Sequence, residues 1–342
     1  MNILEEIAKK TQERVALAKK KRPLEQLRTA AEQMAAAQKR GTAGIHDRAQ
    51  QSGAADNHGR EQQGGAAGSY GREQQGGAAG GHDRTPAKKA AARGGSFARA
   101  LAAPGMSVIC EVKKASPSKG VIAHDFPWLS IAREYEAAGA AAISCLTEPY
   151  WFLGSDRYLE EIARQTALPV LRKDFTIDEY MIYEAKLSGA SAVLLICSLL
   201  DDGRLKAYGQ LTRELGMDAL TEAHTEAEVC RALDAGAGII GVNNRNLKDF
   251  TVDIQNSRRL RALAGPEVIF VSESGIRTPE EVTALYENGT DAVLIGETLI
   301  RAPDKGAMLR WLTSGCKDRQ KTADYKDGGK RQDVEAVNDD TH

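Results

Sequence analysis

PVLRKDFTIDEYMIYEAKLSGASAVLLIC (residues 169–197) decides the fold. Two short apolar runs, PVLRK (169–173) and AVLLIC (192–197), flank a stretch that stops at Gly189, a residue suited to the position just past a helix C-terminus. The same unit recurs on both sides. VICEV (108–112) and AAISCL (141–146) come before it, and MDALTE (217–222), IIGVNN (239–244), VIFVSE (268–273) and AVLIGE (292–297) follow. Amphipathic stretches separate these runs, marked by Ile131, Tyr135 and Ala138 or by Val229 and Leu233. Gly139, Gly216, Gly236 and Gly289 repeat the stop signal. The runs are continuously apolar, as strands covered on both faces of a parallel sheet must be. No Asn-Gly hairpin turn joins two of them. Eight strand–helix units in alternation predict an α/β protein with a (βα)8 TIM barrel in preference to a doubly wound sheet.

Two segments lie outside this pattern. Between Gly41 and Gly94 the only large apolar side chains are Ile45 and Tyr70. The stretch is a tandem repeat of period twelve: HDRAQQSGAADN from His46, HGREQQGGAAGS from His58, YGREQQGGAAGG from Tyr70 and a decayed copy from His82. Such a composition cannot offset chain entropy by burial, which predicts a disordered insertion over 41–94. A metal tract of His46, His58 and His82 is the sharper alternative, and a tolerated repeat expansion the preferred one. The charged tail, 316–342, is also expected to be disordered. What remains is an N-terminal helical extension over 1–40 and a barrel domain over 95–315. The extension should hold helices over 2–20, with Ile3, Leu4, Ile7 and Val15 on one stripe, and over 24–38. A short SFARAL segment should pack on the barrel as well.

Composition narrows the partners. Lys and Arg total 46 against 47 acids, a formal charge of −1, which gives no case for nucleic acid or an anionic membrane. A bound anion must therefore be held by a local site. Cys110, Cys145, Cys197, Cys230 and Cys316 show neither CxxC nor metal-ligand spacing, and three of them sit in apolar runs. No disulfide framework or metal site is expected, and a reducing compartment fits. MNILEEIAKK carries acids where a signal peptide needs an apolar core, and no apolar run approaches the ~18 residues of a membrane span. The expectation is a cytoplasmic enzyme acting on a phosphorylated small molecule, a monomer by default.

In a (βα)8 barrel, chemistry gathers at the C-terminal ends of the strands. Glu111 and Lys113 lie two apart on the first strand and so share a side. Lys173 ends the third strand, Glu222 the fifth, and Asn243 and Arg245 close the sixth. Two lysines and two glutamates converging on one mouth are costly unless they serve a site, although a structural ion-pair network is the alternative. The anion signal is separate. VSESGI (271–276) ends the seventh strand with Ser274 and Gly275, and LIGETL (294–299) ends the eighth with Gly296 and Glu297. Loops after these two strands form the phosphate cradle common in this fold, where glycine lets backbone N–H groups come close. The loop ASPSKG (115–120) adds Ser116 and Lys119, placed to close over a ligand.

With EVKKASPSKG (111–120), LRKDF (171–175), TEAH (221–224), GVNNRNL (241–247), VSESGI and LIGETL, the sequence resembles the indole-3-glycerol-phosphate synthase family of tryptophan biosynthesis. The resemblance is close over about 96–314 and loose over 1–40. It implies that 1-(2-carboxyphenylamino)-1-deoxyribulose 5-phosphate is cyclised, decarboxylated and dehydrated, with no metal and no organic cofactor. It also implies that Lys173 is the general acid for ring closure, with a proton affinity lowered by burial or neighbouring cations. Glu222, Glu111 and Lys113 are left as alternatives for the proton transfers of dehydration. Asn243 suits the ribulose hydroxyls or the carboxylate. Arg245, Ser274, Gly275, Gly296 and the backbone at Glu297 suit the phosphate. Phe175 and Phe152 suit an apolar wall for the anthranilate ring, with core packing an equal reading. The chain departs from the family pattern in its insertion and tail, in Met181 where Gln is usual, and in Leu153 where Gly is usual. The neighbouring isomerase reaction would need a Cys base and an Asp acid, but Cys110 faces away from Glu111 and the sixth strand ends in Asn243. A barrel that only senses a sugar phosphate would need neither Lys173 nor Glu222.

Overall fold

The structure, a computed structural model, describes residues 3–52, 94–246 and 249–316, with side chains for all of these except 41–52. All eight expected strands form. They are β1 Ser107–Val112, β2 Ala142–Leu146, β3 Val170–Lys173, β4 Ala192–Ile196, β5 Asp218–Ala223, β6 Ile239–Asn243, β7 Ile269–Glu273 and β8 Ala292–Ile295. Each pairs in parallel with both sequence neighbours, and β1 pairs with β8 to close the barrel. Two helices, α1 Ile3–Lys21 and α2 Leu24–Ser52, precede a short α3, Ser96–Leu101. The helical layer then comprises α4 Trp128–Ala137, α5 Asp156–Gln165, α6 Glu179–Leu187, α7 Asp202–Glu214, α8 Glu226–Asp234, α9 Gln255–Leu260, α10 Pro279–Glu287, α11 Glu297–Arg301 and α12 Lys305–Leu312.

Local chemistry sets the helix limits. Ser155, Asp178, Asp201, Thr225, Thr278 and Asp304 each accept a first-turn N–H, and Thr278 with Glu281 completes a capping box. Gly139, Gly189, Gly216, Gly236 and Gly289 follow helix ends with φ between 74° and 88°, the left-handed backbone for which they were singled out. Four cysteines (Cys110, Cys145, Cys197 and Cys316) are buried as free thiols, and Cys230 is exposed.

The barrel interior is packed in alternating layers. Because side chains on a strand alternate, residues two apart share the inward face. Ala142, Ala192, Ile239 and Ala292 from the even strands fill the lower interior. Ile109, Leu171, Leu220 and Val271 from the odd strands lie above them, all buried. The SFARAL segment closes the bottom. As α3 it inserts Phe97 and Leu101, both fully buried, into this inner cluster, a deeper placement than packing on the outside. Asp218 at the start of β5 holds it there by accepting from Gly95 N at 2.7 Å and Ala98 N at 2.9 Å.

The N-terminal helices dock beside β3 and α6. Arg14 of α1 pairs with Asp174 at 2.8 Å, Lys19 pairs with Asp178 at 2.7 Å, and α2 lies along α6 with Leu27, Ala31 and Ala35 buried. The sequence places the end of the second helix at 38, but the helix continues to Ser52. Its backbone enters the first repeat copy, where alanine and glutamine are adequate helix formers despite their lack of apolar bulk. Of the stretches 41–94 and 316–342 expected to be disordered, 41–52 are helical, whereas 53–93 and 317–342 lie outside the described residues, as do His58, His82 and the His46 side chain. Ala115–Ser116 and Gly120–Val121 pair as a small antiparallel ribbon within the loop after β1, too short to leave a periodic signal. Among the described residues no helix is long and apolar enough to cross a membrane.

Asp218→Ala tests the basal plug. It strips two N–H groups of a buried acceptor, so urea unfolding should show a loss of about 2–3 kcal/mol. The steady-state constants should stay near those of the parent, since the change lies at the end of the barrel opposite the mouth.

Candidate active site

Above the apolar layer of the odd strands comes a charged one. Two residues beyond Ile109, Leu171, Leu220 and Val271 stand Glu111, Lys173, Glu222 and Glu273, one from each odd strand and all turned inward. Lys173 Nζ donates to Glu222 Oε2 at 2.9 Å and to Glu273 Oε2 at 2.7 Å. Lys113 donates to Glu111, and Asn243 Nδ2 reaches Glu222 Oε1 at 3.3 Å. Two glycines, Gly241 in β6 and Gly296 just after β8, make room at this level. A Cβ on Gly241 would collide with the Glu273 carboxylate, and one on Gly296 would collide with Glu111 and stand 2.9 Å from Lys113 Nζ. These glycines leave the volume that the charged layer occupies.

Burial and charge then fix the protonation states. Burial alone would lower the Lys173 ammonium, but Glu222 and Glu273 outweigh it and hold its proton affinity well above the ordinary lysine value. This corrects the expectation of a lowered value: the nearest charges are carboxylates and not cations. Burial works to raise Glu222, yet Lys173 and His224 pull it below the ordinary carboxylate range. Glu273 goes the other way. Burial, with Glu222 and Glu111 nearby, overcomes the attraction of Lys173 and pushes it up to about 7, and its Oε1 has no hydrogen-bond partner. The carboxyl pair flanking Lys173 is thus one ionised group and one that holds its proton near neutrality.

A cavity of about 540 Å³ opens above this layer. Every site residue expected from the sequence lines it: Glu111, Lys113, Ser116, Phe152, Lys173, Phe175, Glu222, Asn243, Arg245, Ser274, Gly275, Gly296 and Glu297. Lys119 does not reach it, whereas its neighbours Pro117 and Ser118 do. At the β7 and β8 ends, Ser274 (φ 70°) and Gly275 (φ 85°) both adopt left-handed backbone. A Cβ on Gly275 would strike Val252, so this glycine answers a close approach from the loop after β6 as well as its own φ. Gly296 caps α11, whose first residue is Glu297. Opposite this glycine-lined end, the rings of Phe152 and Phe175 lie 6.0 Å apart.

Sequence reasoning passed over three features. Glu273 ends an odd strand in VSES, so the rule that selects Glu111 and Glu222 reaches it too. Ile3, Leu4 and Ile7 of α1 form part of the cavity wall, which no periodicity could reveal because the docking of α1 is a tertiary event. The anchor for that docking is Asp174, which is fully buried and accepts from Arg14, from Thr147 Oγ1 at 2.7 Å and from Phe175 N at 2.8 Å. The two departures from the family pattern fall differently. Leu153 has φ 51°, a left-handed position where glycine would be unstrained. Met181 is buried on α6 and does not line the cavity.

Acid–base side chains facing glycine-lined strand ends across the mouth of a (βα)8 barrel define an enzyme for a small molecule. The family model for indole-3-glycerol phosphate synthase matches residues 81–312. The chain belongs to that family and is a carboxy-lyase of tryptophan biosynthesis. The indole-3-glycerol phosphate synthase of Ruminiclostridium cellulolyticum is 58% identical over 214 residues, which cover 63% of this chain and 82% of the relative. That of Lacticaseibacillus paracasei is 56% identical over 213 residues, covering 62% and 82%. Among solved structures, the 3-hexulose-6-phosphate synthase of Salmonella typhimurium superposes with a TM-score of 0.51 at 14% identity. It covers 61% of this chain and 98% of its own, a likeness of fold alone.

Glu273→Gln should have a pH-dependent effect on stability. A carboxyl raised in the folded state contributes stability below its unfolded value near 4.5, which is lost as pH rises through about 7. Glutamine cannot ionise, so the thermal midpoint of the variant relative to the parent should rise from pH 5 to pH 8. A difference that is flat or falls over that interval would show that Glu273 is ionised throughout.

Proposed function

We propose that the chain converts 1-(2-carboxyphenylamino)-1-deoxyribulose 5-phosphate to indole-3-glycerol phosphate, with Lys173 as the general acid of ring closure. The observation that carries this reading is Lys173 itself, a buried ammonium fixed by two carboxylates at the floor of the cavity. Backbone N–H groups at Ser274, Gly275, Gly296 and Glu297, with Arg245, bind the phosphate. Phe152 and Phe175, continued by Ile3, Leu4 and Ile7, hold the anthranilate ring. Lys113 and Asn243 bind the carboxylate and the ribulose hydroxyls.

In the first step the aromatic carbon bonds to the ketone carbon, and the ketone oxygen takes a proton from Lys173 Nζ. The high proton affinity of Lys173 suits this role, because its acceptor is an oxygen becoming an alkoxide as the bond forms and not a neutral ketone. Loss of carbon dioxide then returns the electron pair of the broken carbon–carbon bond to the ring. Dehydration follows. The hydroxyl leaves as water with a proton from Lys113, and Glu222, held ionised by its neighbours, takes the proton from the adjacent carbon. The same reading sets the enzyme in the cytoplasm as a monomer. Its buried free thiols suit a reducing compartment.

The appearance of indole fluorescence from this substrate tests the activity, and two substitutions test the acid. Lys173→Met should lower kcat by about 10²–10⁴, the usual worth of general acid catalysis, with a smaller change in KM. Lys173→Arg keeps the charge, but guanidinium stays protonated at any working pH, so it should restore binding without restoring turnover. Near-parental kcat in the Arg variant would reduce Lys173 to an electrostatic anchor and leave Lys113 as the acid.

A further inference from the structure

Glu222 is buried in the catalytic cavity, yet a base that takes a proton from substrate must lose it again in each cycle. The structure supplies a neighbour on its far side. His224, two residues on, sits where β5 gives way to α8, and its Nε2 lies 3.5 Å from Glu222 Oε1. That nitrogen is buried and has no hydrogen-bond partner. The other ring nitrogen is committed: Nδ1 stands 3.3 Å from Glu228 Oε2, which also accepts from His224 N at 2.7 Å. Burial and Glu222 work to raise the Glu228 carboxyl, but the ring and the backbone N–H of His224 pull it below the ordinary carboxylate range, so it is an ionised acceptor. Nδ1 therefore carries the hydrogen, and the Nε2 lone pair faces Glu222. Asn256 Nδ2 donates to His224 O at 3.1 Å and helps fix the backbone.

His224 and Glu228 also line a second cavity, of about 580 Å³, which the first cavity meets at Asn243 and Arg245. Glu222 lines the first cavity and not the second, and His224 the reverse. Exposed Asp253 and Arg259 stand on the wall of the second, giving it a route to bulk water. The imidazole is thus interposed between a buried base and a hydrated space.

We propose that His224 is a positioning residue that relays protons between Glu222 and the second cavity, an inference that rests on Glu222 being the base of dehydration. In the relay, the protonated Glu222 carboxyl gives its proton from Oε1 to His224 Nε2. Carboxyl and neutral imidazole become carboxylate and imidazolium, and the imidazolium then gives one proton to water in the second cavity. Nothing is oxidised or reduced. The Nε2 to Oε1 separation shortens when the proton is shared, as separations of this kind tighten in a reacting complex. The charged groups facing the ring favour imidazolium as a transient. Glu222 and Glu228 flank it, Glu273 lies beyond Glu222, and Glu5 and Asp253 line the cavity, against Lys173, Arg245 and Arg259. Burial alone would lower the imidazole, but Glu228 and Glu222 outweigh it and hold it above the ordinary histidine value.

Steady-state turnover at saturating substrate tests the relay. A single turnover of parent and variants is the internal control, since Glu222 begins a first cycle ionised and needs the relay only to begin the next. His224→Ala should slow steady-state turnover by about ten- to a hundredfold, with the substrate Kd within about threefold of the parent. Added imidazole should restore the rate in proportion to its unprotonated concentration, entering through the second cavity. A rate within twofold of the parent, or a loss that imidazole does not lift, overturns the proposal. Should His224→Ala fail to fold, Glu228→Gln keeps the ring but removes the acceptor that fixes the Nδ1 hydrogen. It should also slow steady-state turnover at unchanged Kd, and an unchanged rate overturns the relay. Glu222→Gln separates the two readings: full activity there removes Glu222 as the base, whatever the histidine variants do.

Discussion

The site depends on an ammonium kept out of water. A buried cation without partners would give up its proton. Lys173 has two, and the surplus of negative charge is settled by leaving a proton on Glu273 near neutrality. The charged layer that results is complete only as a set. Each member stands on a different odd strand, so closure of the barrel is what brings them within hydrogen-bond reach. Gly241 of β6 and Gly296 just after β8 follow from the same demand, since any side chain there would occupy the space of Glu273 or Glu111.

Fixed geometry outside the barrel complements this. Arg172 precedes Lys173 and so points outward, where it is buried between strand and helices. It donates to Met181 O at 2.7 Å and pairs with Asp156 at 2.9 Å and with Glu184 at 3.3 Å. The backbone of β3 is thus clamped from its outer face while Lys173 is held from the inner one. Dipoles and charges already in place need no reorganisation when charge develops on a bound molecule, the main source of catalytic power in preorganised sites.

Much of this arrangement was legible in the sequence because it rests on short-range periodicity. Strand limits, the glycine stops and the inward direction of Glu111, Lys173 and Glu222 all follow from alternation along single strands. Glu273 was legible by the same rule and was missed, since VSESGI drew notice for Ser274 and Gly275 and not for the acid before them. Other features depend on which surfaces meet. The insertion of Phe97 and Leu101 into the barrel floor, the wall formed by Ile3, Leu4 and Ile7, and the seating of Arg14 on Asp174 join elements far apart in the chain. The proton affinity of Lys173 was misjudged for a related reason. Residue type gives the charge of a group, whereas the sign of a shift depends on which neighbours the fold brings close.

The Arg14–Asp174 pair spans 160 positions. As the chain leaves the ribosome, α1 emerges well before the strand end that seats it. Until β3 and α6 are made, its apolar stripe has no surface to cover, so the early chain is an amphipathic helix in search of a nascent partner. The wall of the cavity facing the substrate therefore assembles well after it is synthesised. A polypeptide cut off before Asp174 would carry half of the charged mouth and a helix with nowhere to dock, which quality-control machinery can recognise by its exposed Ile3, Leu4 and Ile7.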